Sequence, residues 1–320
     1  MADYLVGGVP IGGVGAAARE ARAAALDAFL ARLLRIAPDG VALVAVGGLG
    51  RRECAPYSDL DLVLLHTGLA GVRELAEEVW YPIWDAKLGL DHSVRTLSEA
   101  LEVARADLKV ALGLLDARHV AGDRSLTERL VEAALEQWRR SAARTLPALR
   151  EATARRHELH GELAFLLEGD LKESAGGLRD VGVLRGISYA GVSDAARPAV
   201  RAAHRRLLDV RDALHLCVGR RVDRLLAQEG DAVAAMVGLP HRDALLRRVS
   251  TDARTVAHAL DDAWRAVHRW HTGRPRGAGR PTRRPVARDV VEYEGEVVLA
   301  RTAITARPDP SLSLRGAAAA

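Results

Sequence analysis

Two aspartates one residue apart, Asp59 and Asp61, are the residues of this chain best suited to chemistry. Because side chains alternate along a strand, the two carboxylates are expected on one face, with Leu60 and Leu62 on the other. Neighbouring carboxylates repel each other, and a divalent cation between them relieves that repulsion. An isolated Asp-X-Asp is more often a solvated turn or a helix cap, so the surrounding sequence decides its meaning.

Apolar runs and a glycine pair surround these aspartates. Residues 41–46 are apolar and rich in valine, which predicts a buried strand. Gly47 and Gly48 follow at once, and glycines leave room for a phosphate chain to approach the backbone. A second apolar run, 60–65, predicts the strand that continues from the aspartates. Arg51 is the first basic residue after the glycines and is a candidate phosphate contact.

A third carboxylate is predicted on the following strand. Asp91 opens a run whose alternation indicates a short strand over residues 91–96. Asp107 is the alternative, although its place before a helical pattern favours a helix cap. His92 follows Asp91 and is a candidate to face the site, but a lone histidine more often packs or donates a hydrogen bond.

The pattern divides the chain into four predicted segments. They are an N-terminal segment and helix (1–40), a nucleotide-handling α/β core (41–122), a helical domain (123–271) and a flexible linker (272–320). The core is expected to hold three strands, with the helical domain covering one face of the sheet. A helical run from 124 to 168 is predicted to break near Pro147, and Ser98 is predicted to cap the helix after the third strand. Alternation around Glu294 predicts a hairpin.

Composition excludes several classes of protein. The 320 residues are 49% hydrophobic and 28% charged, which is ordinary for a soluble globular protein. No run approaches the ~20 apolar residues that span a membrane, and the N-terminus lacks a signal-peptide pattern. Two distant cysteines form neither a disulfide framework nor a metal spacing, so we expect a cytoplasmic protein with no membrane partner.

The net charge of +4 arises from a single segment. Six arginines and no acid lie between residues 271 and 288, so the rest of the chain is close to neutral. A solvated linker is the preferred interpretation of this segment, and a nucleic-acid partner is not expected. The chain has only three lysines, a scarcity that is typical of a high-GC genome and by itself indicates no function.

The pattern of strand, Gly-Gly, about ten residues and Asp-hydrophobic-Asp resembles the nucleotidyltransferase fold of the polymerase-β type. The predicted fold class is therefore α/β plus α, a small polymerase-β-type mixed sheet followed by a helical domain. In such a site two Mg²⁺ ions, about 3.5–4 Å apart, neutralise a nucleoside triphosphate and activate the attacking oxygen. Three carboxylates are assigned as catalytic and metal-binding residues: Asp59, Asp61 and Asp91. Four residues are assigned to nucleotide binding: Gly47, Gly48, Arg51 and Ser58.

Four stretches narrow the resemblance to the N-terminal half of the bifunctional uridylyltransferase/uridylyl-removing enzymes of bacterial nitrogen regulation. The stretches are residues 45–65, 84–101 with 107–123, 170–184, and 214–226. The resemblance implies transfer of a nucleoside monophosphate, normally from UTP, to a tyrosine of the PII signal protein, with release of pyrophosphate. The Gly-Gly-Leu-Arg-Asp segment, 176–180, is then expected near the nucleotide. Its alternative is a helix-entry loop with Arg179 and Asp180 as a structural ion pair.

Departures from the family pattern leave alternatives open. Leu49 and Arg52 stand where the family often has an aromatic and a small residue, so adenylyl transfer from ATP to the same partner is one alternative. Transfer to RNA or a small molecule would depend on the arginines of 274–288. A non-catalytic module that binds nucleotide or PII is the third alternative, and the intact Asp-Leu-Asp argues against it. The family's hydrolase His-Asp pair is missing, so the chain is predicted to be a truncated fragment without uridylyl-removing activity or glutamine sensing.

Overall fold

The computed structural model of the protein describes residues 5–6, 9–10, 12–35, 37–195, 197–273, 284–287, 290–293 and 296–299. Two compact units, 1–271 and 272–320, divide the chain. The first part of the chain contains β1 Leu5–Val6, β2 Val9–Pro10, α1 Ala16–Leu33, β3 Val41–Ala45, α2 Gly47–Gly50, β4 Leu60–His66, α3 Val72–Asp85, β5 Leu90–Thr96, α4 Leu97–Ala106, α5 Leu108–Leu114 and β6 Arg118–Gly122. The helical part contains α6 Arg124–His160, α7 Leu178–Tyr189, α8 Pro198–Val218, a 3₁₀ turn Ala227–Glu229, α9 Gly230–Met236 and α10 Arg242–Thr272.

A four-stranded mixed sheet in the order β5-β4-β3-β6 is central to the first unit. Strand β3 pairs antiparallel with β4 and β6, whereas β4 and β5 are parallel. Strands β3, β4 and β5 are the three predicted strands. Strand β6 is an addition that the sequence did not indicate, because its residues are only half-buried and its Arg-His-Val-Ala-Gly pattern has few apolar positions.

Different helices cover the two faces of the sheet. Every residue of β3 is buried, because its alternating side chains enter two separate hydrophobic clusters. Ala42 and Val44 pack into the large cluster built by α4 to α10, whereas Val41, Leu43 and Ala45 pack with α1 and α3. The helical domain therefore covers one face, as predicted, and the α/β plus α fold class is confirmed.

Helix α6 runs unbroken for 37 residues, so the predicted break near Pro147 is wrong. Proline inside a helix removes one backbone hydrogen bond and costs about 3 kcal/mol. Ala142, Leu146 and Leu149 lie on both sides of this position and are buried in the large cluster, which keeps the two halves of the helix in line.

Across the described residues, no helix combines the length and the apolarity needed to cross a membrane.

Helix α4 is capped by Thr96 and not by the predicted Ser98. The Glu99 N–H donates to Thr96 Oγ1 over 3.3 Å, and the Thr96 N–H donates to the Glu99 carboxylate over 2.7 Å. This reciprocal arrangement needs a Glu or Gln three residues after the cap. Thr96 has Glu99 at that spacing, whereas Ser98 has Leu101, so the helix begins earlier than predicted.

The second unit contains three short antiparallel strands: β7 Arg284–Ala287, β8 Val290–Tyr293 and β9 Glu296–Leu299. Val290 pairs with Leu299 and Tyr293 with Glu296, which confirms the predicted hairpin. Residues 294–295, between its strands, lie outside the described residues. Most of the arginine-rich segment, 274–283, also lies outside them.

Candidate active site

The parallel pair β4 and β5 brings two of the predicted carboxylates together. Their register places Asp61 directly opposite Asp91. Asp61 alternates with Leu60 and Leu62, which face α1 and α3, so its side chain lies on the face covered by the helical domain. Asp59 precedes β4 by one residue, and alternation directs it to the same side.

Gly47 lies directly against Asp61. Its φ is 55°, in the left-handed region, and a Cβ added there would lie 3.0 Å from Asp61 Oδ2. Gly48 differs, because no atom lies within 4 Å of a Cβ added to it. The glycine pair therefore leaves space next to the carboxylate, although it forms the short helix α2 where a loop was expected.

Replacing Gly47 with alanine is expected to lower transfer activity more than it lowers stability. Alanine in the left-handed region costs about 1–2 kcal/mol, and the new methyl group displaces the Asp61 carboxylate. Urea unfolding and label transfer would measure the two effects. Gly182→Ala, in α7 with no atom within 4 Å of the added Cβ, is the control. Equal activity in the two variants would contradict the role assigned to Gly47.

Gly89 permits an equally close approach on the other side of the site. A Cβ at Gly89 would lie 2.2 Å from Asp59 Oδ1, and the Leu60 N–H donates to the Gly89 carbonyl over 2.8 Å. The chain entering β5 thus passes directly beside Asp59. The sequence offered only a turn signal here, since a glycine before a strand is common in any fold.

The electrostatic environment of Asp61 favours a bound cation. Burial raises the pKa of the Asp61 carboxyl, and the charge of Asp91 raises it further. Lys172 and Lys109 oppose this increase, with Lys172 the stronger of the two. Lys109 also lies 3.7 Å from the Asp91 carboxylate. The Asp61 and Asp91 carboxylates therefore lie on paired strands with the Lys109 ammonium group beside Asp91.

Asp59 has a cationic partner from the helical part of the chain. Its carboxylate is ion-paired with Arg221, which follows α8. Across the described ranges, no group of three or more His, Cys, Asp or Glu side chains is arranged to hold a metal ion. Carboxylate oxygens suit Mg²⁺, and the repulsion between Asp61 and Asp91 fits a cation there. For Asp59 to join them, its ion pair with Arg221 must open.

Arg51 is held by two carboxylates. Its Nε lies 2.6 Å from Glu53 Oε2, and its Nη1 lies 2.7 Å from Asp116 Oδ2. Burial opposes the charged form, but the two carboxylates outweigh it and raise the pKa of Arg51. Arg51 thereby ties the loop after α2 to the end of α5, and a phosphate contact by this residue stays a prediction.

Ser58 has a buried hydroxyl without a hydrogen-bond partner among the described residues. Leaving such a group unsatisfied costs about 1–3 kcal/mol, so a ligand that bonds to it gains that energy. Side chains from α1 and α8 contact the loop that carries Ser58. Arg22 Nε donates to the Cys54 carbonyl over 2.8 Å, and His215 Nδ1 contacts the Pro56 carbonyl. No local pattern in the sequence indicates these contacts.

Asp107 caps a helix and His92 packs against an aromatic ring, as the preferred interpretations of these two residues predicted. The Asp107 carboxylate accepts hydrogen bonds from the Lys109 and Val110 N–H groups, over 2.7 and 3.2 Å, and caps α5. The His92 ring lies 5.0 Å from the Trp80 ring, on the face opposite to the Asp61 carboxylate. Both residues are thus explained by structure, and Asp91 remains the candidate third carboxylate.

The predicted pairing of Arg179 with Asp180 is wrong. Asp180 is fully buried and accepts from Arg156 Nη2, His157 Nε2 and the Gly176 N–H, over 2.5, 2.9 and 2.6 Å. Arg179 Nε instead donates to Glu173 over 2.6 Å. Successive residues of a helix point in directions about 100° apart, so neighbours in sequence seldom pair.

Comparison with known proteins shows which sequences this chain resembles. The family model described as GlnD PII-uridylyltransferase matches residues 144–191 and 186–264, which is most of the helical part. The chain is 51% identical to a bifunctional uridylyltransferase/uridylyl-removing enzyme of Streptomyces coelicolor, over 94% of this chain and 38% of the relative. It is 44% identical to the protein of that name from Mycobacterium tuberculosis, over 88% of this chain and 36% of the relative.

A third relative with the same name, from Corynebacterium glutamicum, is 36% identical over 89% of this chain and 41% of its own length. The chain therefore spans about two fifths of the length of the curated relatives it matches. With 51% identity over 94% of its length to one of these relatives, the chain belongs to the family of the bifunctional uridylyltransferase/uridylyl-removing enzymes.

Proposed function

We propose that this chain transfers a uridylyl group from UTP to a tyrosine of a PII signal protein and releases pyrophosphate. The observation that carries the proposal is the pairing of Asp61 with Asp91 on adjacent strands, with Gly47 leaving space beside them. The family description and the relatives' names support uridylyl transfer to PII. Adenylyl transfer from ATP to the same partner is the alternative.

The proposed reaction is a displacement at phosphorus. The tyrosine oxygen forms a bond to the α-phosphorus, the bond from that phosphorus to the β-phosphate oxygen breaks, and pyrophosphate leaves. The phenolic proton is released to solvent. Two Mg²⁺ ions held by Asp59, Asp61 and Asp91 would supply charge neutralisation and favour ionisation of the attacking hydroxyl.

The chain's own contribution is to hold these groups rigidly. Asp61 and Asp91 lie on hydrogen-bonded strands of the central sheet, and sites on such elements keep their geometry better than sites on loops. The open space at Gly48 allows a phosphate group to approach the backbone. The unpaired Ser58 hydroxyl is a further donor for that group. Arg221, once released from Asp59, remains next to the phosphates as a counter-charge.

The test is label transfer to a PII protein in the presence of MgCl₂, with UTP, ATP and CTP labelled at the α-phosphate. Transfer is expected from UTP, and unlabelled UTP should compete better than ATP. A PII variant with phenylalanine at the acceptor tyrosine is the control and should stay unlabelled.

The outcomes separate the alternatives. Preferred transfer from ATP would replace uridylyl with adenylyl transfer. Stabilisation of the chain by a triphosphate, without any release of pyrophosphate, would instead favour the non-catalytic nucleotide-binding module. A folded chain that neither binds a triphosphate nor transfers label would overturn the proposal.

A further inference from the structure

Lysine is rare in this chain, and two of its three lysines lie near the candidate site. Only three of the 46 lysine and arginine residues are lysines. Lys109 and Lys172 both act on the Asp61 carboxylate, although they come from segments far apart in sequence. Lys87, the third, is exposed after α3. Almost all basic residues of this chain are arginines, yet the charges of two lysines act on the same carboxylate.

The backbone around Lys172 is firmly held. Its N–H donates to Asp170 Oδ1 over 2.8 Å, and its carbonyl accepts from the Arg179 N–H over 3.0 Å. The same segment is fastened by the buried Asp180, whose carboxylate accepts the Gly176 N–H over 2.6 Å. The ammonium group of Lys172 therefore projects from a fixed position, and its side chain is partly buried.

The two acids that act most strongly on Lys172, Asp223 and Glu173, are already paired with other cations. Asp223 accepts from Arg211 Nε over 2.6 Å, and His215 Nε2 lies 3.3 Å away. Glu173 accepts from Arg179 Nε over 2.6 Å. Within the part of the chain that the structure describes, no carboxylate lies within 4.0 Å of the Lys172 ammonium group.

An ammonium group in this position lacks the anion that would stabilise it. Burial and the charge of Arg211 lower the pKa of Lys172, in agreement with the lack of a carboxylate within 4.0 Å among the described residues.

The segment of Lys172 is joined to the loop that carries Ser58. The Leu171 N–H donates to the Asp223 carbonyl over 2.8 Å, and His215 contacts both the Asp223 carboxylate and the Pro56 carbonyl. Lys172 thus extends from a segment tied to the loop that leads into β4, and its charge acts on the Asp61 carboxylate. A lysine binds phosphate as a compact point charge, and a triphosphate would supply the missing anion.

We propose that Lys172 binds the phosphate chain of the nucleoside triphosphate beside Asp61. This inference rests on the proposed nucleotidyl transfer and adds a phosphate-binding residue supplied by the helical part of the chain. Lys109 does not qualify equally, since it is largely exposed and lies 3.7 Å from the Asp91 carboxylate. The segment 169–177 would thus couple nucleotide binding to the helical domain.

The first test is the kinetics of Lys172→Met, which keeps the aliphatic stem and removes the charge. The KM for UTP is expected to rise about tenfold or more, because a charge-assisted hydrogen bond is lost. Lys172→Arg should recover most of the loss. Arg155→Met is the control, since Arg155 is exposed and, among the described residues, pairs only with Glu151 on α6. An unchanged KM and kcat in Lys172→Met, with transfer intact in the wild type, would overturn the inference and leave the proposed function standing.

A second test uses the wild-type chain and needs no variant to fold. Reductive methylation followed by mass spectrometry reports each of the three lysines separately. UTP or pyrophosphate with MgCl₂ is expected to slow methylation of Lys172 at least fivefold more than that of Lys87, whereas uridine alone should not. Equal slowing of the two lysines, in a chain that binds UTP, would refute the contact. A chain that binds no UTP would instead refute the proposed function.

Discussion

Asp61→Asn is expected to lower nucleotidyl transfer at least about a hundredfold while leaving the chain as stable as the wild type, or more stable. Mutation of a residue that only supports a metal ligand lowers metal affinity or activity about 10–100-fold. Loss of a direct ligand should therefore lower activity by at least about a hundredfold. Burial and Asp91 raise the pKa of Asp61. A carboxylate whose pKa is raised on folding weakens the fold at neutral pH, and asparagine removes that penalty.

Label transfer and urea unfolding would measure the two effects on one preparation. Asp261→Asn is the matched control, because Asp261 is an exposed aspartate on α10 and should change neither quantity. Opposite effects on activity and stability would mark Asp61 as a functional residue that the fold does not need. Retention of half the wild-type rate would refute the assignment of Asp61.

Asp180→Ala is expected to reduce the free energy of unfolding by about 3–5 kcal/mol. Removing one partner of a buried ion pair leaves the other charge uncompensated, and that cost is of this size. Arg156 is mostly buried beside Asp180, and the Gly176 N–H would lose its acceptor as well. Urea unfolding at pH 7 would measure the loss. Glu173→Gln is the control, since it breaks a partly exposed ion pair worth about 1 kcal/mol or less.

The contribution of Asp180 should also depend on pH in a defined direction. Hydrogen bonds and charge from His157 and Arg156 outweigh the effect of burial, so the pKa of Asp180 lies below its usual 3.8. Its stabilisation is therefore complete above about pH 4 and is lost as the pH falls through the lowered folded-state pKa. The difference between wild type and Asp180→Ala should shrink as the pH falls below about 4. A difference that stays constant or grows between about pH 4 and the acid limit of folding would contradict this role.

The sequence predicted the elements that local patterns encode. Apolar runs bounded by glycine located β3 and β4, and alternation located β5. The Asp-Leu-Asp motif and the glycine pair were found because strand alternation and glycine geometry hold in any fold. The placement of Asp91 beside Asp61 was also accessible, since both lie at the start of neighbouring strands.

Features that depend on distant packing were missed or mispredicted. Strand β6 forms by pairing with the edge of β3, and its own sequence shows little of the pattern that is typical of a strand. Pro147 lies inside α6 because buried neighbours outweigh a local preference. Asp180 pairs with Arg156, 24 residues away, and not with its neighbour Arg179. Local propensity is worth tenths of a kcal/mol per residue, and burial of core side chains is worth more.

The sequence by itself determined which carboxylates and glycines could handle a nucleotide, because spacing on a strand decides which side chains share a face. Only the tertiary structure decided what surrounds them. Arg221 pairs with Asp59 across 162 residues, and the charge of Lys172, in the segment before α7, acts on Asp61. Such contacts arise when the helical part packs on one face of the sheet, and no local pattern records which of 46 basic residues that packing brings to the carboxylates.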